Sequence, residues 1–117
     1  MKQFYNPIKL KTKNSRILVT GATGYIGGRL IPRLLDNNLK VRVLVRDKEK
    51  IKNKSWYSKV EVFEGDLTKI ETLEGLAEGI DQAYYLIHSM SDSEDYIALD
   101  RLVAENFVSI FNFLNSF

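Results

Sequence analysis

The sequence predicts an open α/β fold in which helices alternate with the strands of a parallel sheet. Three observations lead to this fold: four short apolar runs typical of buried strands, helix-like segments between them, and a glycine-spaced turn after the first run. Because βαβ crossovers are right-handed, the expected strand order is 3-2-1-4. Ligands of such sheets bind at the carboxyl ends of the strands, here near strands 1 and 4.

An N-terminal arm, four strands and four helices are expected along the chain. Residues 1–15 are polar and lysine-rich, which favours a basic, loosely docked N-terminal arm ahead of a domain at 16–117. The β-branched or apolar runs predict strands at residues 16–20, 40–46, 60–64 and 82–87. Helical spacing of apolar residues and candidate caps predict helices at about residues 25–36, 47–52, 69–78 and 94–116.

Particular residues support these bounds. Pro32 lies inside the first helix, and its clash with the preceding turn is eased because residue 28 is glycine. Asp47 is a plausible N-cap of the second helix, and Gly79 ends the third. The loop at residues 53–59 holds Trp56, the only tryptophan, which we expect to cover an edge of the core.

Composition excludes several classes of protein. At 117 residues the chain forms one domain at most, and no apolar run approaches the roughly 18–20 residues of a membrane span. The chain has no cysteine, which excludes disulfides and cysteine-ligated metal and fits the cytoplasm. With a single histidine and no clustered carboxylate pair, the sequence supports no metal site.

Charge is distributed unevenly along the chain. Residues 1–60 hold fifteen Lys/Arg against three Asp/Glu, whereas residues 61–117 hold two against twelve. The basic residues are spread over several elements without interleaved aromatics, which argues against nucleic acid. Solvated basic faces and attraction for a phosphorylated cofactor both remain open.

The turn after the first strand has the spacing of a phosphate-binding cradle. It runs from Thr20 to Gly27 with glycines at 21, 24 and 27, a variant of the G-x-G-x-x-G fingerprint. Gly21 permits a tight turn, Gly24 lets main-chain N–H groups approach a pyrophosphate, and Gly27 allows close packing of the helix. An ordinary strand-to-helix turn is the alternative.

The chain resembles the opening portion of an atypical or extended short-chain dehydrogenase/reductase, of the NmrA-like and epimerase-like NAD(P)H-binding group. The resemblance rests on the glycine turn and on segments in matching order at residues 41–46, 65–67, 84–90, 100–101 and 104–107. It implies a Rossmann-like sheet that is truncated after the fourth β-α unit.

The resemblance also implies a cofactor site. Backbone amides around Thr23, Gly24, Tyr25 and Ile26 are expected to hold the pyrophosphate. Arg46 stands where NAD-binding relatives carry an acid, and a guanidinium there favours the 2′-phosphate of NADP over NAD. Lys50 is expected to assist, whereas the neighbouring Asp47 keeps NAD open as an alternative.

Further residues complete the expected site. Asp66 and Leu67 are expected to meet the adenine, and His88 and Ser89 to line the ribose side. The alternatives are an aspartate that only closes the turn after its strand and a histidine that is only a hydrogen-bonded loop residue.

The resemblance predicts that the catalytic half is absent from this chain. Related enzymes use a tyrosine followed four residues later by a lysine, after a fifth strand, and the only Tyr-x-x-x-Lys here is Tyr5 to Lys9, before the first strand. Two main readings follow: the cofactor-binding part of an NADP-dependent oxidoreductase, or a non-catalytic dinucleotide-sensing or scaffolding module. A third is a purely structural α/β fragment that binds nothing. We also expect self-association, through the mostly apolar last helix and an exposed edge of the fourth strand.

Overall fold

A five-stranded sheet forms the centre of the molecule. The computed structural model describes residues 2–4, 15–22, 24–86 and 94–115. The strands, in chain order, are β1 (Lys2–Phe4), β2 (Arg16–Thr20), β3 (Lys40–Val45), β4 (Glu61–Glu64) and β5 (Gln82–Tyr85). Their order across the sheet is β1-β5-β2-β3-β4.

The four predicted strands and their order are confirmed. Strand β2 is parallel to β3, with Arg16 beside Lys40 and Thr20 beside Leu44, and it is parallel to β5 on its other side. Strand β4 continues the sheet beyond β3. Numbered by predicted strand, the order is 3-2-1-4, which is the Rossmann-like arrangement.

Strand β1 was not predicted. It pairs antiparallel with β5, from Lys2 beside Tyr85 to Phe4 beside Ala83. The expectation that the fourth predicted strand leaves a bare edge is therefore wrong over these residues, because the start of the chain supplies the missing hydrogen-bonding partner. The boundary between arm and domain at residue 15 stays a prediction.

The first and last helices agree with expectation. Helix α1 spans Tyr25–Asp36 and continues through Pro32, with open space where a side chain of residue 28 would lie. Helix α2 spans Glu94–Asn115. Asp47 caps a short 3-10 helix, Lys48–Lys50, by accepting a hydrogen bond from the Glu49 N–H at 3.0 Å.

The predicted helix at residues 69–78 is wrong. Only a 3-10 helix, Ile70–Leu73, forms there, and turns follow it. Gly75 and Gly79 have φ angles of +84° and +73°, which interrupt a right-handed helix. The guanidinium of Arg42 donates to the carbonyls of Gly75, Leu76 and Glu78, which lie at the end of the predicted helix and would have no partner within it.

Two hydrophobic layers cover the sheet, because successive side chains of a strand point to opposite faces. The α1 layer includes Trp56, which is only 4% exposed, as expected for a residue that covers the core. The α2 layer centres on Phe107, whose ring lies 5.0 Å from that of Tyr85 and 5.1 Å from that of Phe111.

Part of α2 remains uncovered. Leu99 and Leu102 are both 42% exposed, and Val108 is 39% exposed. The helix therefore packs only one of its sides against the sheet, as its broad apolar surface predicted. Within the described residues, no helix is both long and apolar enough to cross a membrane.

Candidate functional site

The candidate site lies at the carboxyl ends of the parallel strands. Strand β2 is central, with β5 on one side and β3 on the other, so the chain leaves neighbouring strands in opposite directions there. Such a reversal opens a crevice above the sheet. Three segments line this edge: the glycine turn after β2, the turn after β3, and the turn after β4.

The glycine turn is tightly packed. Gly21 has a φ of +80°, which a residue with a side chain rarely adopts. A Cβ atom at Gly27 would lie only 2.3 Å from the Gly21 carbonyl oxygen, and one at Gly24 would lie 3.3 Å from the same atom. Glycine at 27 thus lets the first turn of α1 pack directly against the chain that leaves β2.

Main-chain N–H groups at the start of α1 are the potential phosphate donors. One of those predicted is already used, because the Gly24 N–H donates to the Gly21 carbonyl at 3.0 Å. The N–H groups of Tyr25 and Ile26 bond to no acceptor among the described residues, and no described side chain caps the helix. Exposed donors at a helix N-terminus are suited to bind an anion.

The surroundings of these donors are exposed and positively charged. The Tyr25 side chain is 75% exposed, and the Arg29 guanidinium carbon lies 4.6 Å from the centre of its ring. No acidic residue occurs in the first turn of α1. Sequence reasoning missed Arg29, although its spacing of four residues from Tyr25 places both on one face of the helix.

Thr20 joins the two strands that border the crevice. Its side chain is fully buried, and its hydroxyl donates to the Tyr84 carbonyl at 3.2 Å and accepts from the Leu86 N–H at 3.3 Å. These bonds hold β5 against the start of the glycine turn. A hydroxyl residue at the end of an apolar strand was the available signal, and sequence reasoning did not use it.

Arg46 and Lys50 are exposed residues of the segment that follows β3, the strand next to β2. Arg46 directly follows β3, and its charge acts on Asp66, which follows β4. Lys50 ends the 3-10 helix after Arg46. Asp47, the residue that kept NAD open, uses its carboxylate as the cap of that helix.

Asp66 closes the turn after β4. Its Oδ1 atom accepts from the Thr68 N–H at 2.9 Å and from the Thr68 hydroxyl at 2.7 Å. These bonds, more than the nearby charges of Arg46 and Lys69, hold the pKa of Asp66 below its ordinary value of 3.8. Asp66 therefore closes this turn, as the alternative to an adenine contact predicted. Any adenine contact would have to come from the same carboxylate.

Leu67 is buried, and a residue of α2 fixes its main chain. The Asn106 side chain donates to the Leu67 carbonyl at 2.7 Å. Sequence reasoning assigned no such role to Asn106. Because the partners lie 39 residues apart in the chain, only the tertiary structure brings them together.

Three predicted site residues, Thr23, His88 and Ser89, lie outside the described residues, and their roles stay predictions. Over the ranges that the structure covers, His, Asp and Glu side chains form no group of three that could hold a metal ion.

The parallel sheet, the crowded glycine turn and the exposed helix N-terminus together define a Rossmann-type dinucleotide-binding fold. Comparison with known proteins then gives the family. The model of the NmrA-like family matches residues 13–106, so this chain belongs to that family of NAD(P)-binding proteins.

Individual proteins are similar over parts of their length. The 3β-hydroxysteroid dehydrogenase/Δ5→4-isomerase of Mycobacterium tuberculosis is 32% identical over 76 residues, which make up 65% of this chain and 20% of that protein. The UDP-Glc/GlcNAc 4-epimerase of Campylobacter jejuni superposes with a TM-score of 0.70 at 21% identity, over 82% of this chain and 33% of that one. The Bordetella bronchiseptica enzyme WbmG, solved in complex with NAD, gives a TM-score of 0.61 at 19% identity, over 85% and 34%. The chain thus spans about a fifth of the curated relative and a third of the two structures.

The crowding at Gly27 yields a matched pair of variants. Gly27→Ala should lower the free energy of unfolding by about 1–3 kcal/mol, because its Cβ atom would overlap the Gly21 carbonyl oxygen. Gly28→Ala should instead raise it by about 0.5–1 kcal/mol, because its Cβ atom meets open space inside a helix. Urea denaturation of both variants measures the difference, and equal effects would contradict this packing.

The bonds to Asp66 predict a dependence of stability on pH. A lowered pKa adds stability above the ordinary value of 3.8 that is lost as the pH falls through the lowered value. Asp66→Asn keeps an acceptor for Thr68 but cannot titrate. Measured by urea denaturation, the stability advantage of the parent over this variant should therefore shrink as the pH falls below about 4. If the difference between parent and variant does not change with pH, the charge of Asp66 does not contribute to the free energy of unfolding.

Proposed function

We propose that this chain binds NADP, in preference to NAD, at the carboxyl ends of β2, β3 and β4, as the cofactor-binding part of an oxidoreductase. One observation carries the proposal: a helix N-terminus with exposed amides, made possible by the Gly27 contact, faces the same edge as Arg46 at the end of the adjacent strand. Membership of the NmrA-like family supports the dinucleotide.

The pyrophosphate is assigned to the start of α1. The N–H groups of Tyr25 and Ile26 supply two donors, and the helix dipole adds partial positive charge. Arg29 adds a full charge one turn further along the helix. A Cβ atom at Gly24 would crowd the chain from which these donors project, so glycine keeps the approach open.

The preference for NADP is assigned to Arg46. A guanidinium can bind a 2′-phosphate through two parallel hydrogen bonds, whereas a carboxylate at this position would repel it. The competing acid, Asp47, is engaged as a helix cap. Lys50, at the end of the short helix that follows Arg46, adds a second positive charge to this segment.

The adenine is assigned to the turn after β4. Asp66 uses its Oδ1 atom for Thr68, which leaves its other carboxylate oxygen, Oδ2, to accept from the adenine amino group. The Asn106 side chain donates to the Leu67 carbonyl, so α2 holds the main chain of this turn in position. His88 and Ser89 are assigned to the ribose side, as the resemblance implies.

Two functions remain compatible with such a site. In the oxidoreductase, hydride transfer needs a tyrosine and lysine supplied from outside residues 16–117, since the only Tyr-x-x-x-Lys lies at Tyr5 to Lys9. The alternative is a non-catalytic dinucleotide-sensing or scaffolding module. Coding sequence downstream of Phe117 distinguishes them: a Tyr-x-x-x-Lys pair after a further strand supports the oxidoreductase, and its lack supports sensing.

Titration with both cofactors tests the assignment of Arg46. The parent should bind NADPH more tightly than NADH, and Arg46→Asp should weaken NADPH binding about ten- to a hundredfold while leaving NADH binding equal or tighter. Isothermal titration calorimetry measures both affinities. Arg33→Asp is the matched control, because Arg33 is an exposed arginine of the last turn of α1.

Two results would count against the proposal, each against a different part of it. Equal affinity of the parent for both cofactors would remove the role of Arg46 but leave the dinucleotide site intact. Binding of neither cofactor by the folded parent would remove the site itself.

We further propose that the chain self-associates through the exposed side of α2, which Leu99 and Leu102 supply with apolar surface. In sedimentation velocity experiments, the parent should form dimers or larger species as its concentration rises, and Leu102→Glu should shift the population toward monomer. Arg101→Gln, at an exposed position of the same helix, should not. A parent that stays monomeric at all concentrations would contradict this assignment.

A further inference from the structure

A second cleft lies at the opposite edge of the sheet from the candidate cofactor site. It has a volume of about 250 Å³ and is placed where the parallel strands begin. Its lining consists of Arg16, Leu39, Lys40, Val41, Arg42, Lys59, Glu61 and Ile80. Nothing in the proposed function uses these residues.

Three cations, here called the cation row, line this cleft at the amino ends of neighbouring strands: Arg16, Lys40 and Lys59. Arg16 and Lys40 are paired in the register of β2 and β3. Arg42 and Glu61 are paired in the register of β3 and β4, and Lys40 and Lys59 precede them by two residues each. Neighbouring strands lie about 4.8 Å apart, which brings Arg16 and Lys40 close together. Lys59 ends a 3-10 helix, Tyr57–Lys59, just before β4 and lines the same cleft.

The row lacks an internal partner. Within the described residues, no carboxylate forms an ion pair with Arg16, Lys40 or Lys59, and all three are exposed. Glu61, the only acid that lines the cleft, is paired with Arg42. The lining residues hold four cationic side chains and one carboxylate, and the Asp81 carboxylate beside Arg16 reduces the local excess to two positive charges.

The other groups at this edge are also engaged. The Arg42 guanidinium donates to the carbonyls of Leu76 at 2.6 Å and Glu78 at 2.9 Å, so it forms a fixed wall. The Asp81 carboxylate accepts from the Arg16 main-chain N–H at 2.9 Å. Like charges directly opposite each other destabilise a sheet, so the free protein carries a cost that an anion would relieve.

We propose that this cleft binds a phosphate group, free or as the ester of a small molecule, on Arg16, Lys40 and Lys59. A phosphate dianion has enough oxygens to accept from all three side chains, and such charge-assisted bonds are the strong ones. Leu39, Val41 and Ile80 offer apolar contact for a few carbons of an ester. The cleft lies where the parallel strands begin, so this site is separate from the one at their carboxyl ends.

Calorimetry on the 117-residue chain tests the proposal, with inorganic phosphate and glycerol 3-phosphate as probes at constant ionic strength. The parent should show saturable binding, weakened about tenfold in Lys40→Gln and again about tenfold in Lys40→Gln/Lys59→Gln. Lys54→Gln is the matched control, because Lys54 is an exposed lysine that does not line the cleft. Tighter binding of the ester than of free phosphate identifies the ester as the ligand, and equal binding identifies phosphate itself.

Thermal unfolding adds a second readout that does not depend on measuring weak heats. Without phosphate, Lys40→Gln should be at least as stable as the parent, since one repulsive pair is removed. With phosphate, the melting temperature of the parent should rise and that of the double variant should not. A double variant that melts lower without phosphate would show that the row stabilises the fold and would overturn the proposal.

Three further results would overturn it. These are binding that does not saturate, equal binding by the parent and the double variant, and tighter binding of a DNA duplex with a steep dependence on salt. The last would identify a nucleic-acid surface instead. NADPH affinity should be unchanged in the double variant, so failure here is distinct from failure of the cofactor site.

Discussion

The contact between Gly27 and the Gly21 carbonyl is the constraint on which the candidate cofactor site depends. A methyl group at residue 27 has no room, since its carbon would approach that oxygen to 2.3 Å. Because the contact is so close, α1 begins directly beside the end of β2, and its N-terminus faces the edge where the strands end. The exposed amides of Tyr25 and Ile26 follow from this placement. The Thr20 hydroxyl bonds to the Tyr84 carbonyl and the Leu86 N–H, and these bonds draw β5 toward the same turn.

A second constraint acts on the other crossover. The Arg42 guanidinium is largely buried and bonds to three carbonyls between Gly75 and Glu78, while its Nε atom pairs with Glu61. Burying a cation is costly unless it is paired and hydrogen-bonded, and here both conditions are met. The segment after β4 is thereby tied to the sheet without a long helix. Its first residues, Asp66 and Leu67, are then held in place by Thr68 and Asn106.

The two edges of the sheet differ in how their charges are used. At the carboxyl edge, Arg46 acts on Asp66, and Arg29 lies over Tyr25, so the positive charges there have nearby acidic or aromatic groups. At the amino edge, Arg16, Lys40 and Lys59 share one row, and the single acid of the cleft is occupied by Arg42. Some of the basic residues in the first half of the chain thus lie at opposite ends of the parallel strands.

Local pattern determined the four parallel strands, the glycine turn and the cap at Asp47, because each depends on residues close together in the chain. The right-handedness of the crossovers then gave the strand order. The tertiary structure decided the features that depend on distant partners. Strand β1 pairs with β5, some 80 residues away. A run of three residues is too short to predict a strand from its periodicity. In the segment expected to form a helix at 69–78, the guanidinium of Arg42, on β3, donates to the carbonyls of Leu76 and Glu78. The cation row likewise depends on the tertiary structure, because strand register pairs residues 16 and 40 and the chain before β4 brings residue 59 to the same cleft.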